Sequence, residues 1–240
     1  MDKQSFFEQL SKETKKLDCM LNDEQLEQFY KYMNLLIEWN EKINLTAITE
    51  PKEIITKHFI DSLTSIKYIK EGETVVDVGT GAGFPGIPLA IANTSLNITL
   101  VDSLNKRINF LNDVINKTNL KKVEAIHSRA EEFGQNKQYR EKYDVAISRA
   151  VARLNILVEY LLPTVKVGGR CICMKGPDAI SEIEEAKKAI ELLGGNIELV
   201  QEFNLPDTDI KRTIIIIKKE KNTPKKFPRK AGTPTKTPIK

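Results

Sequence analysis

The sequence predicts an α/β protein: a doubly wound, mostly parallel, seven-stranded Rossmann-like sheet with an N-terminal helical cap. Three observations predict it. From Glu73 onward, short apolar runs alternate with amphipathic stretches, the pattern of strands joined by helices that cover both faces of a sheet. The first run, Val75-Val76-Asp77-Val78, ends in an acid and enters a glycine-dense turn, Gly79-Thr80-Gly81-Ala82-Gly83-Phe84-Pro85-Gly86. Residues 1–70 have helical periodicity and no strand signal.

Within the cap, Asn22 is placed to cap a helix, with Asp23 and Glu24 favourable in its first turn. Leu26, Phe29, Tyr30, Met33, Leu36 and Ile37 then recur at three- and four-residue steps. Pro51 opens a second helix carrying Ile54, Ile55, His58, Phe59 and Ser62. Strands are expected at Thr74–Val78, Asn97–Asp102, Val123–Ser128, Tyr143–Ser148, Gly169–Lys175, Ile197–Phe203 and Arg212–Lys218, with a helix over Ala179–Leu193. Pro85 and Pro88 suit the start of the helix that follows the glycine turn. The expected organisation is a helical cap (1–70), a sheet domain (71–220) and a basic, Pro-rich arm (221–240).

With 240 residues, 40% hydrophobic and 29% charged, the chain suits one mid-sized soluble domain with an added subdomain. It has no apolar run of the ~18 residues that a membrane span needs. Its start lacks the basic and apolar regions of a signal peptide, so a cytoplasmic home is expected. The three cysteines, Cys19, Cys171 and Cys173, read as reduced thiols, and Cys171 and Cys173 share one strand face. His58 and His127 lie far apart and away from any cysteine, so no metal is expected. The net charge of +4 hides an asymmetry: residues 221–240 hold seven Lys or Arg and no acid, leaving 30 basic against 33 acidic residues elsewhere. Such a tail is either a solvated end or a contact for a polyanion.

In doubly wound sheets ligands sit beyond the carboxyl ends of the strands, so the Asp77–Gly83 turn is the expected site. Gly81-Ala82-Gly83-Phe84-Pro85-Gly86 fits the dinucleotide pattern G-x-G-x-x-G. Asp77 followed by Gly79, Gly81 and Gly83 fits the acid-x-G-x-G-x-G loop that resembles S-adenosylmethionine-dependent methyltransferases. Neither a Tyr-x-x-x-Lys pair nor a histidine placed for hydride chemistry follows, and no G-K-[ST] follows the glycines, so S-adenosylmethionine is the better reading. Asp102 ends the second strand, where an acid either accepts ribose hydroxyls or caps the next helix. The third strand runs into Ala130 and Glu131, whose N–H and carboxylate either read adenine or cap a helix. Arg149 ends the fourth strand, where a guanidinium is suited to the methionine carboxylate.

Several segments together resemble the RsmG (GidB) family of ribosomal RNA methyltransferases. These are Asn44-Leu45-Thr46-Ala47-Ile48, Lys57-His58-Phe59-Ile60-Asp61-Ser62-Leu63, the loop Gly79–Pro88, Asp102-Ser103-Leu104 with Lys106-Arg107, Ser148-Arg149-Ala150, and the tail Phe227–Pro234. The resemblance implies N7-methylation of one guanine in bacterial 16S ribosomal RNA, on naked RNA or a small-subunit assembly particle, with no membrane partner. It implies cofactor contacts at Gly79, Phe84, Ala130, Glu131 and Arg149, to which the physical argument adds Gly81 and Asp102.

Guanine N7 carries a free lone pair at neutral pH, so transfer from a sulfonium needs alignment rather than a general base. The fourth strand end lacks the Pro-Cys of a pyrimidine-C5 enzyme and the [DNS]-Pro-Pro-[YF] that holds an exocyclic amine, which agrees with ring-nitrogen transfer. His58 is either a packed residue or a contact to RNA or cofactor, and Phe84 is either loop packing or a pocket wall. Arg229 and Lys230 are the tail's candidate phosphate contacts. A monomer is expected. The competing readings are a methyltransferase of another RNA site or of a small molecule, and a nucleotide-sensing RNA-binding module without turnover.

Overall fold

The structure, a computed structural model, describes residues 1–239. Two helices, α1 (Lys3–Lys15) and α2 (Asp23–Ile43), open the chain. Asn22 and Gln25 form a reciprocal capping box at the start of α2. A continuous helical stretch follows: α3 (Pro51–Ile54), a π-helical segment (Ile55–Ile60) and α4 (Asp61–Leu63). The remainder alternates as β1 (Thr74–Val78), α5 (Gly86–Ala92), β2 (Asn97–Asp102), α6 (Asn105–Lys117), β3 (Val123–His127), α7 (Ala130–Gln135), β4 (Tyr143–Arg149), α8 (Leu154–Leu161), β5 (Val165–Lys175), α9 (Ala179–Leu192), β6 (Gly195–Asn204), β7 (Lys211–Lys219) and α10 (Thr233–Lys236).

The seven strands order as β3-β2-β1-β4-β5-β7-β6. Pairs among β1 to β5 are parallel, whereas β7 runs antiparallel to both β5 and β6. The strand order reverses between β1 and β4, which opens a crevice at their carboxyl ends. Strand alternation sorts side chains onto two cores. Val75, Ile172, Ile214 and Ile216 face the N-terminal helices, α5 and α6; Val76, Cys171, Cys173, Ile215 and Ile217 face α8 and α9. Both faces of β7 are thus buried, which explains the uninterrupted run Ile214–Ile217. Cys171 and Cys173 are free thiols, buried on a shared face. No helix among the described residues is long and apolar enough to cross a membrane.

The cap shares the first core with the sheet rather than forming a body of its own. Gln25 donates to the carbonyls of Ile91 and Ala92, and Gln28 to that of Thr118. Tyr32 donates its hydroxyl to the Ala82 carbonyl at 2.5 Å, so α2 holds the glycine turn directly. Gly83 is required by this packing: a Cβ there would lie 2.9 Å from the Tyr32 hydroxyl and 2.6 Å from Ile87.

Residues 221–239 do not form the extended arm expected from their Pro and Lys content. Phe227, the one aromatic of this stretch, is 4% exposed and joins the second core. Arg140 donates to the carbonyls of Thr223 and Phe227, and Gln135 to those of Lys225 and Pro228. Pro228 packs so closely that a Cβ on Gly134 would meet its Cγ at 2.9 Å. A single buried aromatic and a set of backbone carbonyls, none visible as hydrophobic periodicity, fold the tail back over α7 and α8.

Candidate active site

A cleft of about 390 Å³ opens at the carboxyl ends of the strands. Gly79 and Val78 line it from β1, Asp102, Ser103 and Arg107 from β2 and α6, Ser128, Arg129, Ala130 and Glu131 from β3 and α7. Ala150 and Val151 line it after β4, Tyr160 from α8, and Gly232 and Thr235 from the tail. The structure therefore brings four of the expected residues together: Gly79, Asp102, Ala130 and Glu131.

The turn that forms one wall is fixed by backbone geometry. Gly79 and Gly81 take φ of +73° and +62°, the left-handed region that glycine enters without a Cβ clash. The Gly79 and Thr80 N–H groups both donate to the Val101 carbonyl, tying the turn to β2. Gly81 itself does not border the cleft; its N–H donates to Asp102 Oδ2 at 3.0 Å. Arg107 donates to the same oxygen at 3.1 Å, and the Leu104 N–H donates to Oδ1 at 2.9 Å. Oδ1 keeps a free lone pair, so Asp102 anchors the turn and still has room for one hydroxyl donor. Leu104, not Asp102, occupies the N-cap position of α6, which has no side-chain cap. Glu131 has a similar division: Oε1 accepts the Gly232 N–H at 2.8 Å, leaving Oε2.

The other expected residues form a second cluster between cap and sheet. Phe84 is 7% exposed and stacks on the His58 ring, with centroids 4.4 Å apart. The Arg149 guanidinium lies 5.0 Å from the Phe84 centroid. Arg149 does not project freely toward the cleft: it donates to Asp61 Oδ2 at 3.0 Å and to the Lys57 carbonyl at 3.1 Å. Arg212 from β7 shares the Asp61 carboxylate. His58 Nε2 pairs with Thr46 Oγ1 at 2.9 Å, joining the Asn44–Ile48 and Lys57–Leu63 segments. Two sequence motifs that looked like separate signatures are one packed junction, which locks the end of β4 to the cap.

Arg229 faces inward. It makes a bidentate pair with Glu159, which has no exposed surface, through Nε at 2.9 Å and Nη2 at 2.6 Å. The guanidinium is thus engaged by a buried carboxylate instead of projecting freely into solvent, and withdrawing it would leave Glu159 unpaired in the core. Lys230 is exposed beside Glu131 and Glu132. Sequence reasoning missed Tyr160, Val151, Gly232 and Thr235. Tyr160 was hidden in an apolar helix, and the tail residues carry no local signal for contact with a distant strand end.

Two buried groups titrate in opposite senses. Burial pushes the Asp77 carboxyl up to about 6; its Oδ2 accepts from Thr80 and Gly86, while Oδ1 has no partner. Burial, and then the Arg149 charge, push His58 down to about 4. The stability conferred by Asp77 is complete below its ordinary value of 3.8 and lost as pH rises through about 6. That conferred by His58 is complete above its ordinary 6.5 and lost as pH falls through about 4. Asp77→Asn removes the first limb only. Between pH 7 and 4 this variant is expected to lose about 2 kcal/mol more stability than the wild type. Urea melts at the two pH values check this, and parallel losses in both proteins would refute it.

The cleft suits a nucleoside. Its polar lining is one carboxylate with a spare acceptor, a second carboxylate oxygen that also accepts, and the hydroxyls of Ser103, Ser128, Tyr160 and Thr235, with glycine backbone on one side. Fold and cleft together define the class of S-adenosylmethionine-dependent methyltransferases. The fold resembles precorrin-6y C5,15-methyltransferase from Geobacter metallireducens (TM-score 0.52, 14% identity, 74% of this chain and 92% of that one). It also resembles M. jannaschii TYW2 solved with AdoMet (TM-score 0.50, 16% identity, 65% and 74%). The family described as GidB, rRNA small subunit methyltransferase G, matches residues 25–213, and the chain belongs to it. Ribosomal RNA small subunit methyltransferase G of Alkaliphilus oremlandii is 55% identical over 226 residues, covering 93% of this chain and 95% of the relative. That of Desulforamulus reducens is 53% identical over 232 residues, covering 96% and 97%.

Proposed function

We propose that the protein methylates N7 of a guanine in 16S ribosomal RNA, with S-adenosylmethionine held in the cleft between β1, β2 and α7. The convergence of Gly79, Asp102, Ala130 and Glu131 on one cleft, in a chain of this family, carries the reading. Bound there, the cofactor supplies a methyl group on a sulfonium. Asp102 Oδ1 offers its free lone pair to a ribose hydroxyl, while its Oδ2 holds the turn through Gly81 and the side chain of Arg107. The Ala130 N–H and Glu131 Oε2 would hold the adenine edge, the first donating and the second accepting. Arg149 and Phe84 act from the cap junction, where Asp61 and His58 fix them; Arg149 is the guanidinium nearest in sequence to the cleft residues Ala150 and Val151.

The two buried groups whose titration is shifted, Asp77 and His58, are unsuited to proton transfer. His58 is neutral, packed on Phe84 and bonded to Thr46, and Asp77 is sealed beneath the turn. A nucleophile with its own lone pair needs neither; the protein's part is to hold the reacting atoms about 3–3.5 Å apart and in line. N7 lies on the Hoogsteen edge, which an unpaired loop base exposes. Incubating unmethylated 16S RNA, or particles carrying it, with labelled cofactor and mapping the product nucleoside tests the reading. Label in 7-methylguanosine at one position is expected; label elsewhere, or in a small molecule, would overturn it, and cofactor binding without turnover would favour the RNA-binding module.

A further inference from the structure

The tail reaches the cleft that the glycine turn opens. Tyr160 on α8 and Thr235 on α10 both line it, and their hydroxyl oxygens lie 3.2 Å apart. Among the described residues neither hydroxyl has another partner. Two hydroxyls that share one mutual bond keep one O–H donor and several acceptor lone pairs. Side by side, they complement an adjacent donor and acceptor, such as the amino group and neighbouring ring nitrogen of adenine.

The position of this pair is fixed by buried contacts. Arg229 is bound to the buried Glu159 through backbone and side chain, Phe227 is buried in the second core, and Pro228 packs against Gly134 of α7. The Gly232 N–H occupies Glu131 Oε1, which sets the rotamer of that carboxylate and turns Oε2 to the remaining acceptor role. Gly232 takes φ of +79°, so the chain turns sharply there before Thr235.

We propose that the C-terminal segment is part of the cofactor site: Thr235 and Tyr160 present a donor–acceptor pair to the adenine edge, and Gly232 aims Glu131. The assignment rests on the S-adenosylmethionine reading of the cleft. Titration calorimetry with S-adenosylhomocysteine and S-inosylhomocysteine, in which a carbonyl replaces the adenine amino group, tests both. The wild type is expected to bind the adenosyl compound more tightly than the inosyl one. Thr235→Val and Tyr160→Phe should each weaken adenosyl binding about fivefold, the loss of one net hydrogen bond, and reduce the preference for it. Hydrogen exchange on the wild-type chain needs no substitution and should show S-adenosylhomocysteine protecting the amides of residues 231–237. Unchanged affinity and preference in both variants, with no added protection, would overturn this proposal and leave the cofactor reading standing. Failure of the wild type to bind S-adenosylhomocysteine would overturn the cofactor reading and the proposal with it.

Discussion

Gly79→Asp is expected to abolish measurable cofactor binding while leaving the protein folded. The backbone at this position has φ of +73°, where a side chain costs about 1 kcal/mol. The added Cβ would lie 2.6 Å from Val151 Cγ2. Val151 is 37% exposed in the irregular segment between β4 and α8, so it has room to yield, and the sheet below is undisturbed. Gly79 and Val151 both line the cleft, however, so the clash is relieved by displacing its wall. The new carboxylate also enters a cleft that already holds those of Asp102 and Glu131. A binding loss of about 3 kcal/mol or more, roughly a hundredfold rise in Kd, follows. Calorimetry with S-adenosylhomocysteine measures it, and Gly79→Ala, which adds the Cβ without charge, should lose less. An unchanged titration for the Asp variant, with an intact unfolding transition, would remove the glycine turn from the site.

Arg229→Leu is expected to be the most destabilising single change in the tail. Glu159 has no exposed surface, and three of its contacts come from Arg229: the backbone N–H at 2.8 Å and two side-chain nitrogens. Removing the guanidinium leaves a carboxylate in the core beside α7, a loss of about 3–5 kcal/mol. Denaturant unfolding monitored through the midpoint measures it. Glu159→Gln in the same background should recover part of the loss, because the amide carries no charge to bury. A change below about 1 kcal/mol, the range of exposed ion pairs, would show that the pair is a surface contact. The loss should also spread to the cleft, since Arg229 holds the stretch that carries Gly232 and Thr235.

The elements were legible in the sequence where local chemistry is periodic. The strands appear at or within a few residues of the expected spans, β5 beginning earlier, at Val165, where a register shift lets it pair with Tyr143. Asn22 caps α2, and Cys171 and Cys173 share a face, as the alternation of a strand requires. The site was half legible. Glycines in a left-handed turn and an acid at the end of β2 are dictated by backbone sterics and hydrogen bonding within short segments, so Gly79 and Asp102 stand out. Phe84 and Arg149 were also picked out, as cofactor contacts, and His58 as either a packed residue or a contact to RNA or cofactor. Their packing against Asp61, Thr46 and Arg212 depends on how the cap seats on the sheet.

The tail marks the boundary between the two kinds of information. Seven cations without an acid describe a charge, and charge alone does not say which way a side chain points. Arg229 turns inward because Glu159, 70 residues earlier, lies buried beneath it, and Thr235 reaches the cleft because Tyr160 is there to meet it. The sequence by itself determined the doubly wound sheet and the glycine turn, because each follows from periodicity and backbone freedom over a few neighbouring residues, and the class of ligand through the resemblance of that turn to a known loop. Only the tertiary structure decided which polar groups are already committed to one another, because hydrogen bonds between distant segments depend on distance and direction, which no local pattern carries.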